Sequence, residues 1–210
     1  DPSDLGDKRV GLPAALSSTT STVHRTLILD EYDFDLFEDP AETRAADPPV
    51  LWQLLQDGEL DAISEFSGFT IRGIADDSVK TIFDPYALWQ SRTGNPIPTT
   101  TFTVRSSWFT DRADTVDRFL GGWEAALDSF RSNTAAALDQ FGTEAGITES
   151  AEAAVIGDLM DDEVMFGQAY YDADLVDAHW TFFELLNETS GLSLPEKDET
   201  FVTKDELQAG

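Results

Sequence analysis

Residues 4–20, DLGDKRVGLPAALSSTT, constrain the fold more than any other stretch, because a strand signal runs there straight into a helix start. Arg9, Val10, Gly11 and Leu12 form a short apolar-biased run that Pro13 closes, since proline has no N–H to give to a sheet ladder. Ser17, Ser18, Thr19 and Thr20 follow, and Val23, Leu27 and Ile28 then recur at helical spacing. Hydroxyl residues ahead of an apolar stripe are N-cap candidates, and the free amides and partial positive charge of a helix N-terminus also hold a sulfonate, phosphate or carboxylate. Capping and anion holding both stay open for this quartet.

The rest of the chain is placed relative to that turn. A helix over 18–31 leads to an acidic turn over 33–39, broken at Pro40, and Asp47, Pro48 and Pro49 open a second helix that Gly58 stops. Residues 60–66 read as a buried strand, 67–74 as a short helix and 79–83 as another strand. A helix over 86–93 ends at the Gly94, Asn95, Pro96 turn. Residues 99–104, all β-branched or aromatic, give the clearest strand signal of all. Strands alternating with helices at this spacing predict an α/β fold with helices on the faces of a sheet. After Trp108 the pattern turns helical. Phe119, Trp123, Leu127 and Phe130 share a stripe, helices follow over 151–160 and 173–187, and 164–171 is the one further extended candidate. Trp108 and Trp123 read as core, and the tail after Pro195 as a loosely held end.

Charge excludes several classes of function. With 41 acidic against 13 basic residues the chain carries a formal net charge of −28 and a pI near 4.1, a field that repels nucleic acid and anionic lipid. The acids are spread over nearly every segment and lysine occurs only at Lys8, Lys80, Lys197 and Lys204, the surface of a protein from a salt-saturated, halophilic setting where screening suppresses self-repulsion. Five Trp and fourteen Phe argue against a disordered acidic chain. Cysteine is absent, so no disulfide, thiolate nucleophile or cysteine-ligated metal is available. His24 and His179 lack the spacing of metal ligands, and the acidic clusters at 76–77 and 161–163 lack the order of a calcium loop. No nucleophile elbow, phosphate-binding loop or dinucleotide fingerprint is present. No catalytic residue, metal or cofactor is assigned.

DLGDKRVGLPAALSSTT resembles the stretch that opens the second lobe of ABC-transporter substrate-binding proteins of the nitrate/sulfonate/taurine and thiamine-pyrimidine-precursor type. LLQDGELDAISEF at 54–66, TIFDPYALWQSRTGNPIPTTTFTVRSSWF at 81–109 and ADTVDRFLGGWEAALDSFRSN at 113–133 resemble later segments of the same family, in the same order. The resemblance implies a periplasmic-binding-protein type II-like (Venus flytrap) lobe with a helical C-terminal portion. It divides the chain into an α/β second lobe at 1–105, a helical part of the first lobe at 106–194 and a tail at 195–210, with the opening part of the first lobe lacking. The exposed helix faces that this leaves imply self-association. The implied function is capture of a small polar or anionic solute for a permease and an ATPase, without chemistry, at an anchored position outside the cytoplasm.

In that family the ligand lies in a cleft at the carboxyl ends of strands. On this sequence those ends are 13–20, 65–69 and 84–86. Ser17, Ser18, Thr19 and Thr20 would donate to an anionic or strongly polar group. Glu65 would meet an amine or a pyrimidine amino group, or stand as a solvated loop acid, and Phe66, Phe69 and Tyr86 would stack on a planar ligand or serve as core. Two rivals remain. One is an enzyme on the same two-lobed fold, of the menaquinone-pathway lyase or pyrimidine-synthesis type, and the other is a truncated chain that no longer binds.

Overall fold

A computed structural model of the chain describes residues 1–13, 18–66, 68–97, 100–161, 168–191 and 193–209. Strand β1 (Arg9–Pro13) is the centre of the sheet, and everything but Arg9 in it is buried. It is followed by helix α1 (Thr19–Tyr32), strand β2 (Glu42–Ala46), helix α2 (Pro48–Gln56) and strand β3 (Ala62–Ile63). Both β2 and β3 pair with β1 in parallel, giving the strand order β2-β1-β3. Because successive side chains of a strand point to opposite faces, Val10 and Leu12 share one face and Gly11 takes the other. Val10 and Leu12 join Leu5, Ile28, Phe34 and Leu36 in an apolar cluster that Tyr32, Phe37 and Phe83 flank. On the opposite face Leu51, Leu60 and Ile63 close over Gly11 so tightly that a Cβ there would lie 2.7 Å from Leu60 and 2.8 Å from Leu51. The sheet therefore has a helix layer on each face, the arrangement expected of parallel strands. Helices α3 (Gly68–Ala75) and α4 (Pro85–Thr93) follow.

The described chain divides into two compact units, residues 1–88 with 185–192 and residues 89–184 with 193–210. Within the first, Arg9 clips β1 to the turn before β3. Its guanidinium donates to both Asp61 carboxylate oxygens at 2.9 Å and to the Gly58 carbonyl. Thr26, fully buried on α1, is hydrogen-bonded to Thr189 at 2.9 Å.

The second unit is helical: α5 (Ser106–Phe109), α6 (Ala113–Ser132), α7 (Thr134–Phe141), α8 (Ser150–Asp161), α9 (Ala173–Ser190), α10 (Lys197–Thr200) and α11 (Lys204–Ala209), the last residues of α9, from 185 on, belonging to the first unit. Phe182 is buried under the Trp89 indole, edge to face at 5.3 Å. Tyr170 donates to the Asp117 carbonyl at 3.1 Å, and Gln208 donates to the Asp117 carboxylate at 3.1 Å, which fastens α11 to α6. The tail after Pro195 is thereby held: Leu207 is buried and Thr203 bridges to Tyr171.

The fold is mixed α/β, and several expected elements differ. Residues 79–83 and 100–104 join no ladder among the described residues, and Thr99 lies outside them, as do Ser67 and 164–167. Their β-branched and aromatic side chains suit a strand, but a strand exists only where a partner supplies the hydrogen bonds; Phe102 and Val104 are instead exposed. The strand expected over 60–66 shrinks to Ala62–Ile63, and β2 is a strand the sequence did not announce. Trp108 and Trp123 are not core: they are 39% and 37% exposed, and Trp123 and Phe119 meet Phe102 edge to face on the surface.

Candidate functional site

In the order β2-β1-β3 the chain leaves β1 for β2 on one side and returns to β3 on the other, so the carboxyl ends of β1 and β3 lie side by side. Open α/β sheets bind ligands beside strand ends of this kind. Ser64 lies on the first turn out of β3, its amide donating to the Gly11 carbonyl at 2.8 Å, and it is buried. Across from it on α1 stands His24, whose Nδ1 is 2.6 Å from the Ser64 hydroxyl oxygen. With Nδ1 unprotonated the hydroxyl donates and Nε2 carries the proton. His24 is half-buried yet packed closely enough that desolvation takes its pKa down to about 4, with the field of Asp84 opposing, so the ring is neutral near pH 7. Phe83 stacks edge to face on it at 6.2 Å, bringing the segment before α4 to the same place.

Glu65 follows Ser64. Both of its carboxylate oxygens are buried without a hydrogen-bond partner. Burial pushes its pKa up to about 7, and the Phe66 amide pulls the other way without reaching hydrogen-bond geometry. The Phe66 side chain is 45% exposed. Tyr86, in the first turn of α4, is half-buried, and Phe69 lies on α3 under the Arg72 guanidinium at 5.2 Å.

Of the hydroxyl quartet, Ser17 lies outside the described residues. Ser18 is the N-cap of α1: its oxygen accepts from the Ser21 amide at 3.2 Å and its proton goes to the Ser21 hydroxyl at 2.8 Å. Thr19 and Thr20 form the first turn, so their amides are among those a helix leaves without an intrahelical partner. The sequence reading singled out Glu65 and Phe66, weighed His24 only as a metal ligand and passed over Ser64. Forty positions separate those two, and the only local signals are a polar residue one turn beyond Thr20 and a serine closing an apolar run.

A shallow crevice in the second unit is lined by Thr93, Asn95, Asp174, Asp177 and Thr181. Its Asp177 is already engaged by the Lys197 ammonium. Among the described residues no group of three or more His, Asp or Glu is placed to hold a metal ion, and no helix is long and apolar enough to cross a membrane. Compared with known proteins, the chain matches no family model and no curated protein.

Proposed function

We propose that the chain is the solute-binding component of an ABC importer of the nitrate/sulfonate/taurine and thiamine-pyrimidine-precursor type. It would form the periplasmic-binding-protein type II-like (Venus flytrap) lobe of that class, take a small polar molecule at the carboxyl ends of β1 and β3, and release it unchanged. The observation that supports this reading is the convergence beside the carboxyl end of β3 of segments far apart in sequence: His24 on α1, Ser64 after β3 and Phe83 before α4. They bring hydroxyls, a neutral imidazole, an unpartnered carboxyl and aromatic rings, a mixture suited to holding and orienting a molecule. The partners in this reading are a permease and an ATPase, and its place of work is the outer face of the membrane. Isothermal titration of the chain in multimolar potassium chloride with sulfonates, nitrate, amino acids and pyrimidines tests it. A saturable isotherm with the compound recovered intact is expected, whereas steady conversion to a product contradicts it.

One observation favours the second reading, an enzyme on the same fold. A serine hydroxyl within hydrogen-bond reach of a neutral imidazole, with an aspartate acting on the ring, is the arrangement of an activated nucleophile. A fluorophosphonate probe separates the two. Covalent labelling of Ser64 supports the enzyme, and an unlabelled Ser64 in a chain that binds solute supports the carrier.

A further inference from the structure

Among the described residues of the strand-end site, the Glu65 carboxyl is left without a hydrogen-bond partner. A carboxylate offers about four acceptor positions on its two oxygens. Here both oxygens are buried and neither has a partner, although buried acceptors are almost always satisfied. Other acids of the same unit show the contrast: Asp61 is clasped by Arg9 and Asp35 by Arg25. The only other influence on the carboxyl is the backbone of the next residue, Phe66, whose side chain is exposed.

We propose that Glu65 is the recognition group of this site and that the solute it takes is a small organic cation presenting paired N–H donors, with an amidinium as the simplest form. The inference rests on the solute-binding reading and narrows it. A planar N–H fork fills both orphaned oxygens at once, which is how carboxylates hold such cations. An anion in the same place would meet a carboxyl and the field of a chain of net charge −28. Ser18 then serves as a helix cap and not as part of an anion cradle.

Proton release accompanies capture. The titratable groups of the site are His24 on α1, Glu65 after β3 and Asp84 before α4. Asp84 acts on His24, and no charged side chain contributes to the state of Glu65, which burial alone keeps largely protonated below neutrality. A cation that binds the ionised carboxyl must first displace that proton. Amidinium affinity therefore rises with pH and levels off above about 7, falling roughly thirtyfold between pH 8 and pH 5.5.

Titration of the full chain with acetamidine and benzamidine on one side, and methanesulfonate and nitrate on the other, tests the proposal. The expected result is saturable binding of the amidines, its loss in Glu65→Gln, its retention in part by Glu65→Asp, and the stated pH dependence. The melting curve of Glu65→Gln checks that the variant folds. Binding of methanesulfonate or nitrate without the amidines overturns the proposal while leaving the solute-binding reading intact. Amidine binding that survives Glu65→Gln, or that ignores pH, overturns it as well. If neither pair binds, the proposal falls, and the wider panel of the preceding section decides the reading on its own.

Discussion

At the scale of single residues, burial has pushed the ionisable groups of the strand-end site towards neutrality in opposite directions. Glu65 binds its proton more tightly folded than unfolded, so the penalty for ionising it is absent in acid and destabilises the fold progressively as pH rises from about 4.5 through 7. Glu65→Gln is therefore expected to gain stability over the parent by on the order of 1–2 kcal/mol at pH 8, after allowing for the part of the side chain still facing solvent, and almost nothing at pH 4. Denaturant titrations of both chains at the two pH values measure it; an equal gain at both would mean that the carboxyl is not buried as a charge. His24 and His179 act with the other sign, since both are taken down to about 4 by desolvation. Their share of stability is present above about 6.5 and is lost as pH falls through 4. Ser64→Ala leaves the His24 Nδ1 facing a methyl group instead of a hydroxyl. A loss of about 1–2 kcal/mol is expected, the cost of stranding one buried polar partner. A loss near zero would show that water replaces the serine.

At the scale of elements, β1 carries the sheet, and Gly11 is the position where it has no room. Gly11→Ala drives a methyl into Leu51, Leu60 and Ile63, two of them fully enclosed. An overpacking cost of about 1–3 kcal/mol is expected in thermal or denaturant melts. Gly58→Ala, with nothing within 4 Å, meets only the strain of its positive φ. The same elements explain what was legible in the sequence. Strand β1, the Ser18 cap and the stops at Gly58 and Gly94 were readable because each rests on local chemistry: an apolar run, a hydroxyl before a helix, a residue that accepts positive φ. Strand β2, ETRAA, was not, because it is half exposed, and its state is decided by the β1 backbone it lies beside, in the register Arg9↔Glu42 to Pro13↔Ala46. Residues 100–104 fail for the converse reason. Their propensity is high, yet no described strand lies beside them to pair with. The site divides along the same line. Glu65 and Phe66 sit where a strand end can be read directly, but the His24–Ser64 pair exists only through the crossing of α1 behind the sheet.

At the scale of the whole molecule, charge dominates the response to solvent. A net charge of −28 on 210 residues destabilises the compact state by self-repulsion, and salt relieves it within a Debye length of about 3 Å at 1 M. The melting midpoint is expected to rise steadily from 0.1 M to multimolar potassium chloride, and a flat profile would show that the acids are too dispersed to repel. Screening also frees the exposed Phe102, Phe119 and Trp123 face for contact between copies. Light scattering should then report a mass that grows with salt, and the same mass at both extremes would count against self-association there. These properties bear on how the chain survives; the proposed function rests on the strand-end site. The most direct test of that site is the thermal midpoint of the full chain in high salt against sulfonates, nitrate, amino acids, pyrimidines and amidines. Each compound is assayed for chemical change afterwards, and every shift is repeated in Glu65→Gln. Binding to the folded state must raise the midpoint by mass action. The account predicts a rise with one class of compound, that compound recovered unaltered, and the rise lost in the variant. A shift that the variant retains in full, or a compound consumed during the assay, would contradict it.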